Sequence, residues 1–214
     1  MGVGDYESAV KTFLKYLLIL IHIMGGQPGR AIEITTLRYA NAMQSMRNIF
    51  VKDGQLMIVT EYHKSTVVTD QVKLIPRFLP ERVRKLLVVY LADVLPFYQL
   101  MNRKASMLRS KGFLWFKNNK PWDTDDLTKA LTREIGSRIG FRFTTADYRH
   151  IAVAIDRRDV HGLNDGMDPD EEDAHDLLVS HSTTMADKMY GIRGNVLKSL
   201  SDRSMTIFRK MTNR

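Results

Sequence analysis

Cysteine is absent from the 214 residues of this chain, which excludes disulfide bonds and thiolate chemistry and suits an intracellular protein. Long apolar runs are also missing. The longest, residues 16–24, is too short to span a bilayer and lacks a small-residue cleavage site, so we expect a buried helix and no membrane partner. The chain has neither a linker rich in glycine, serine and proline nor an internal repeat, which predicts a single domain over residues 1–214.

Clusters of His, Asp and Glu with the spacing of metal ligands are lacking as well. The nearest case runs from His161 to His175, in a stretch rich in Gly, Asn, Asp and Pro that is typical of a solvated loop. We therefore expect no metal site.

Positive charge is abundant and unevenly placed. The net charge is +8 and the sequence pI is about 9.7, which favours a polyanionic partner. Residues 156–176 hold nine acids and two arginines, a local charge of −7, so the rest of the chain carries +15. A basic body with one acidic loop fits phosphate binding by the body, although a basic protein without such a partner would have the same composition.

Two helices are predicted near the N-terminus. Apolar residues recur at intervals of three and four over residues 6–24, and a glycine pair ends the pattern. A second helix over residues 30–38 has Arg30 in its first turn and Glu33 on the same face. The helix dipole disfavours a cation at that end, so another interaction must favour Arg30 there.

A small antiparallel sheet follows. Residues 47–51 and 55–61 form a predicted hairpin around Asp53 and Gly54, and a third strand over residues 69–75 ends at Pro76. Lys64 lies between the second and third strands, where it either reaches a ligand or is an ordinary solvated turn lysine. The fold class is thus α+β, mainly α-helical with a three-stranded antiparallel sheet.

The second half reads as mostly helical. Residues 81–103 form a long helix kinked at Pro96, and residues 113–116 a short extended segment. Helices then run from Thr124 to about residue 137, with Thr or Asp as the cap, and over residues 146–155, capped by Thr144 and Thr145, with Arg149 and His150 one turn in. Further helices are predicted at 170–179 and 181–190, before a basic amphipathic helix within residues 193–214.

His181 and Tyr190 lie nine residues apart, at the two ends of the helix predicted at 181–190. They are a candidate hydrogen-bond donor and a candidate nucleophile, although many helices contain such a pair. With Arg30, Lys64 and Arg149 they resemble, in order, the catalytic domain of the tyrosine recombinases, the family that includes phage integrases. Three local strings agree: GRAIEITTLR at residues 29–38, ADYRH at 146–150, and LVSH at 178–181 followed by Tyr190. The resemblance extends over residues 13–190.

The resemblance implies a catalytic set and a mechanism. Arg30 and Arg149 would clamp the scissile phosphate with bidentate guanidinium groups, because phosphoryl transfer needs fixed donors for the charge on the non-bridging oxygens. Tyr190 would attack phosphorus, Lys64 would protonate the departing 5′ oxygen, and His181 would donate to a non-bridging oxygen. Glu33, Tyr148 and His150 would support the site, with Glu33 holding an arginine or capping backbone amides. Side-chain cations would replace a metal, and no cofactor would be needed for rejoining because the protein–DNA ester keeps the bond energy.

The sequence departs from the family at three places. Ala146 stands where His or Lys is usual, and the reduced pattern of Tyr148, Arg149 and Tyr190 fits the recombinases of cryptons, eukaryotic DNA transposons.

The acidic loop at 156–176 lengthens the interval from Arg149 to His181, and we expect it to compete with DNA for the basic surface. The N-terminal domain that closes the family's clamp is absent, so we interpret the chain as a fragment.

Double-stranded DNA is the expected partner, with self-association into dimers or a synaptic tetramer on it. The location would be the nucleus for a crypton-like enzyme and otherwise the cytoplasm or nucleoid. Two alternatives stay open: a recombinase-like DNA-binding module that no longer cuts, because of Ala146 and the loop, and an enzyme similar to type IB topoisomerases. Only a cutting enzyme forms a covalent adduct at Tyr190.

Overall fold

The computed structural model describes residues 2–42, 45–62, 73–101, 112–117, 120–159, 205–206 and 209. The predicted α+β class is confirmed, since helices dominate and one three-stranded antiparallel sheet has the order β1-β2-β3. Within these ranges, none of the helices combines the length and the apolar character that a membrane crossing requires.

Helix α1, Val3–Met24, is the central element and confirms the first predicted helix. Its inner face, which includes Leu17, Leu18 and Ile21, is buried. The helix packs against the helices that begin at Ala31, Glu81 and Thr124. Gly25 ends it, with its N–H bonded to the carbonyl of Ile21 at 3.0 Å. A Cβ at Gly25 would lie 2.6 Å from that same carbonyl oxygen, which explains the glycine.

The sheet consists of β1 (Ile49–Lys52), β2 (Gln55–Tyr62) and β3 (Lys73–Phe78). The predicted hairpin is confirmed: Asp53 and Gly54 join β1 to β2 with φ values of 51° and 71°. The predicted end of the third strand at Pro76 was wrong, because β3 continues to Phe78. Proline is tolerated there since β3 is an edge strand, where an outward-facing position needs no N–H.

Helix α2, Ala31–Thr35, is shorter than the predicted 30–38. The backbone beyond it pairs with a distant segment instead: Leu114 N–H donates to Leu37 O and Tyr39 N–H to Gly112 O, both at 2.8 Å. The buried Trp115 indole N–H donates to Ile34 O at 2.7 Å. Long-range hydrogen bonds thus take the carbonyls that a longer helix would use.

The long helix predicted at 81–103 is divided into α3 (Glu81–Val89), a π-helical turn (Tyr90–Val94) and α4 (Leu95–Met101). The irregularity lies just before Pro96, which has no N–H to donate to the preceding turn. Two short strands follow, β4 (Phe116–Lys117) and β5 (Lys120–Pro121), and they form a separate two-stranded sheet. The extended segment predicted at 113–116 therefore overlaps β4 at one residue, while Phe113 forms an isolated bridge with Arg38.

The last described helices are α5 (Thr124–Leu131), a π-helical turn (Thr132–Gly136), α6 (Ser137–Ile139) and α7 (Thr145–Asp159). Asp123 caps α5 by accepting the N–H of Asp126 at 2.9 Å, so the cap is the aspartate before Thr124. Helix α7 contains the first four residues of the acidic segment 156–176, and the rest of that segment lies outside the described residues.

The helices predicted at 170–179 and 181–190 also lie outside them. Of the basic segment 193–214, three residues are described, and all three are helical. Met205 is buried, and Arg209 pairs with Asp53 at 3.2 Å and lies over the ring of Phe78. The described end of this segment therefore packs against the sheet of the same chain.

Candidate functional site

Arg30 occupies the N-cap position directly before α2, rather than the first helical turn. Its backbone N–H donates to Glu33 Oε2 at 3.3 Å, and its carbonyl accepts the Glu33 N–H at 3.0 Å. The expectation that Glu33 caps backbone amides is confirmed. A carboxylate at the start of a helix also offsets the unfavourable position of the Arg30 cation relative to the dipole.

Arg77, which the sequence analysis did not single out, lies close to Glu33, Tyr148 and Arg149, and these residues with Arg30 are called the arginine cluster below. Arg77 is 2% exposed and shares the inner face of the sheet with Ile75, opposite Ile58 on β2. Its Nε donates to Thr60 Oγ1 at 3.3 Å, and its Nη1 donates to the carbonyl of Gln27. Burial lowers the pKa of Arg77 to about 10, against the raising effect of the Glu33 carboxylate. Arg77 is therefore still a cation at neutral pH.

Glu33 faces three guanidinium groups. Burial raises the pKa of Glu33 above its usual value, and the cations of Arg77, Arg30 and Arg149, together with the hydrogen bond from the Arg30 amide, act in the opposite direction. Arg149 is thus close enough to Glu33 to act on the pKa of the same carboxylate as Arg30, although 119 positions separate the two arginines in the chain. With Glu33 ionised, the three guanidinium groups and one carboxylate have a formal charge of +2.

Helix α7 places Arg149 through two fixed contacts in its first turn. Thr144 and Asp147 form a reciprocal cap: Asp147 Oδ2 accepts from the Thr144 N–H at 2.9 Å and from its hydroxyl at 2.6 Å, and Thr144 Oγ1 accepts the Asp147 N–H at 3.2 Å. The Tyr148 hydroxyl donates to Ile23 O, in the last turn of α1, at 3.0 Å. The start of α7 is thereby tied to the end of α1.

His22 lies behind this contact. Its ring is 2% exposed and its centroid is 5.2 Å from that of Tyr148. Neither ring nitrogen has a hydrogen-bond partner among the described residues. Burial, followed by the Arg77 cation, lowers the pKa of His22 to about 4, while burial raises the pKa of Tyr148 to about 12. Both groups are therefore neutral at pH 7 and leave the charge of the cluster to the arginines and Glu33.

The structure thus places Arg30, Glu33, Tyr148 and Arg149 around Arg77. His150 is on the exposed surface of α7, as is Ala146. Lys64, in the connection between β2 and β3, and His181 and Tyr190 lie outside the described residues. Among the residues described, no group of three or more His, Asp and Glu side chains could hold a metal ion.

Arg77 escaped the sequence interpretation because the third strand was expected to end one residue earlier. A signal was present: an arginine two positions after Ile75 in an apolar strand falls on the buried face, where a charge requires partners.

Guanidinium groups gathered near one partly compensating carboxylate are suited to an anion with a planar face of oxygens. Arg30 and Arg149 can each offer two parallel N–H donors to a phosphate, and net charge remains after Glu33 is counted. The arrangement fits a phosphodiester, which has one negative charge, better than it fits a cation or a neutral ligand.

No protein-family model matches the chain, and no solved structure matches it at a significant level. The resemblance to tyrosine recombinases therefore depends on the sequence strings alone.

Proposed function

We propose that this chain is a DNA strand-breaking and rejoining domain that acts through a 3′-phosphotyrosine intermediate, in the manner of tyrosine recombinases and transposases. One observation supports the proposal best: Arg30 and Arg149, chosen from sequence as the two phosphate ligands, both lower the pKa of the half-buried Glu33 carboxylate. The fold therefore brings two residues that are distant in the chain into the neighbourhood of the same carboxylate.

In the proposed reaction the Tyr190 hydroxyl loses its proton to water, its oxygen attacks phosphorus, and the bond from phosphorus to the 5′ oxygen breaks. The electron pair of that bond goes to the 5′ oxygen, which takes a proton from Lys64. Arg30 and Arg149 balance the charge that builds on the non-bridging oxygens, and His181 adds a hydrogen bond. Rejoining is the reverse step, in which the ester bond to Tyr190 supplies the energy.

The phosphate-clamp part of the proposal is tested by duplex binding as a function of salt. The logarithm of the binding constant falls linearly with the logarithm of the salt concentration, and loss of one phosphate contact decreases the magnitude of this slope by about 0.9. Arg30→Ala and Arg149→Ala should each decrease the slope by about that amount. Lys11→Ala is the matched control, because Lys11 is an exposed cation paired with Glu7 and lies about 20 Å along α1 from Met24. Slopes unchanged in both arginine variants would contradict the clamp.

The alternative is a DNA-binding module that no longer cuts, and Ala146 favours it. This residue is exposed beside the Thr144–Asp147 cap, where the resemblance calls for a proton-handling side chain. Binding without a covalent adduct would favour the module, whereas an adduct that depends on Tyr190 would exclude it.

A further inference from the structure

The turn that carries Arg30 is contacted by the buried Arg77 guanidinium and by the half-buried Glu33 carboxylate. The Gln27 carbonyl accepts from Arg77 Nη1, and the Arg30 N–H donates to Glu33 Oε2 at 3.3 Å. Between them, a Cβ built on Gly29 would lie 3.1 Å from both Arg77 Nη2 and Glu33 Oε2. The backbone just before Arg30 therefore fits closely between a guanidinium and a carboxylate.

Arg77 has no access to a ligand of its own. At 2% exposure, with Nε on Thr60 and Nη1 on Gln27, its fork points into the protein. Burying a charge is unfavourable unless the charge is paired and hydrogen-bonded, and residues that act only in packing are rarely arginine. An effect of Arg77 on DNA must therefore pass through the residues it holds.

We propose that Arg77 is a positioning residue for the phosphate clamp: it fixes the turn from Gln27 to Arg30, together with Glu33, and so directs the Arg30 side chain toward the DNA. This inference rests on the proposed function. Arginine is required because the role needs a fork, with separate nitrogens for Thr60 and Gln27, and a lysine ammonium offers a single point charge. Charge compensation of Glu33, in contrast, needs only a cation.

That difference separates positioning from simple stabilisation. Arg77→Met leaves Glu33 without its main cation, so this variant should unfold at a lower urea concentration than the unmodified chain. Arg77→Lys keeps a cation beside Glu33 and should therefore keep most of the stability that Arg77→Met loses. Affinity for a DNA duplex at low salt should not recover in parallel. We expect Arg77→Lys to bind about tenfold more weakly than the unmodified chain, a change about the size of the loss of one charge-assisted hydrogen bond.

A double-mutant cycle with Arg30→Ala completes the test. If Arg77 acts through Arg30, Arg77→Lys should change affinity less than about twofold once Arg30 is already alanine. Additive effects, or an Arg77→Lys variant that binds as tightly as the unmodified chain, would overturn the positioning role. If Arg77→Met does not fold, the duplex affinity of Arg77→Lys, with and without Arg30→Ala, still decides between positioning and simple stabilisation.

The same measurements separate failure of this inference from failure of the proposed function. An unmodified chain that does not bind duplex DNA would overturn the proposed function, and the role of Arg77 with it. A chain that binds but forms no adduct at Tyr190 would overturn the cutting activity only, and the cycle would still decide between positioning and stabilisation.

Discussion

The Tyr148 hydroxyl donates a 3.0 Å hydrogen bond to the carbonyl of Ile23, joining the first turn of α7 to the last turn of α1. The Ile23 carbonyl is one of the last four carbonyl groups of α1, which lie too close to the helix end to accept an N–H from a later turn of the helix. The bond therefore satisfies a helix end and, at the same time, fixes the neighbour of Arg149.

Replacing Tyr148 by phenylalanine should decrease the free energy of unfolding by about 1 kcal/mol, the usual net value of one intramolecular hydrogen bond. Urea denaturation measures this. Tyr16→Phe is the matched control, since Tyr16 is 45% exposed and its hydroxyl donates to Glu134 at 3.2 Å, where water can replace the tyrosine. Equal losses in the two variants would contradict a special role for the Ile23 contact.

Burial of His22 predicts a loss of stability in acid. Its folded pKa of about 4 is below the ordinary 6.5, so the unfolded chain binds the proton more tightly. The stabilisation is complete above pH 6.5 and is lost as the pH falls from 6.5 toward 4. At pH 5 the loss is roughly 2 kcal/mol.

The variant that isolates this effect is His22→Met, which keeps an apolar side chain of similar length. Its free energy of unfolding should change less between pH 7 and pH 5 than that of the unmodified chain, by roughly 2 kcal/mol. Because both proteins contain the other titrating groups, the contributions of those groups to the pH dependence cancel in the comparison. They include Glu33, whose raised pKa makes stability rise as the pH falls. A parallel pH dependence in the chain and in His22→Met would refute the assignment.

Gly29 and Gly4 offer a matched pair of glycine substitutions. A Cβ at Gly29 would press on the Arg77 and Glu33 side chains, each 3.1 Å away, whereas a Cβ at Gly4 would meet nothing within 4 Å. Gly29→Ala should decrease the free energy of unfolding by about 1–3 kcal/mol, as overpacking does, and should weaken duplex binding. Gly4→Ala, in the first turn of α1, should be neutral or raise stability by up to about 1 kcal/mol. A stable Gly29→Ala variant with unchanged affinity would show that the turn tolerates displacement.

Local patterns predicted most of the secondary structure. The Asp53-Gly54 turn, the periodicity of α1 and the Thr144 cap each depend on a few neighbouring residues, and each was confirmed. The end of α2 depends on hydrogen bonds to residues 112–114, far away in sequence, and was predicted wrongly. Tertiary contacts override helix propensity at such places.

The candidate site shows the same division. Arg30, Glu33, Tyr148 and Arg149 could be chosen because their strings and order resemble a known family, and the described residues place them together. Arg77 belongs to no such string. Finding it requires the register of β3 against β2, which pairs Arg77 with Ile58, and strand ends are among the least certain features of a sequence.

The central claim is most directly tested by covalent trapping on DNA. The chain is incubated with labelled, nicked suicide duplexes whose sequence is randomised around the nick, so that the strand cut next to it cannot be rejoined. Denaturing electrophoresis then reveals any labelled protein, with Tyr190→Phe as the control. We expect a labelled band that is lost in Tyr190→Phe and strongly reduced in Arg30→Ala and Arg149→Ala. Duplex binding without any covalent band, or a band that persists in Tyr190→Phe, would contradict the central claim.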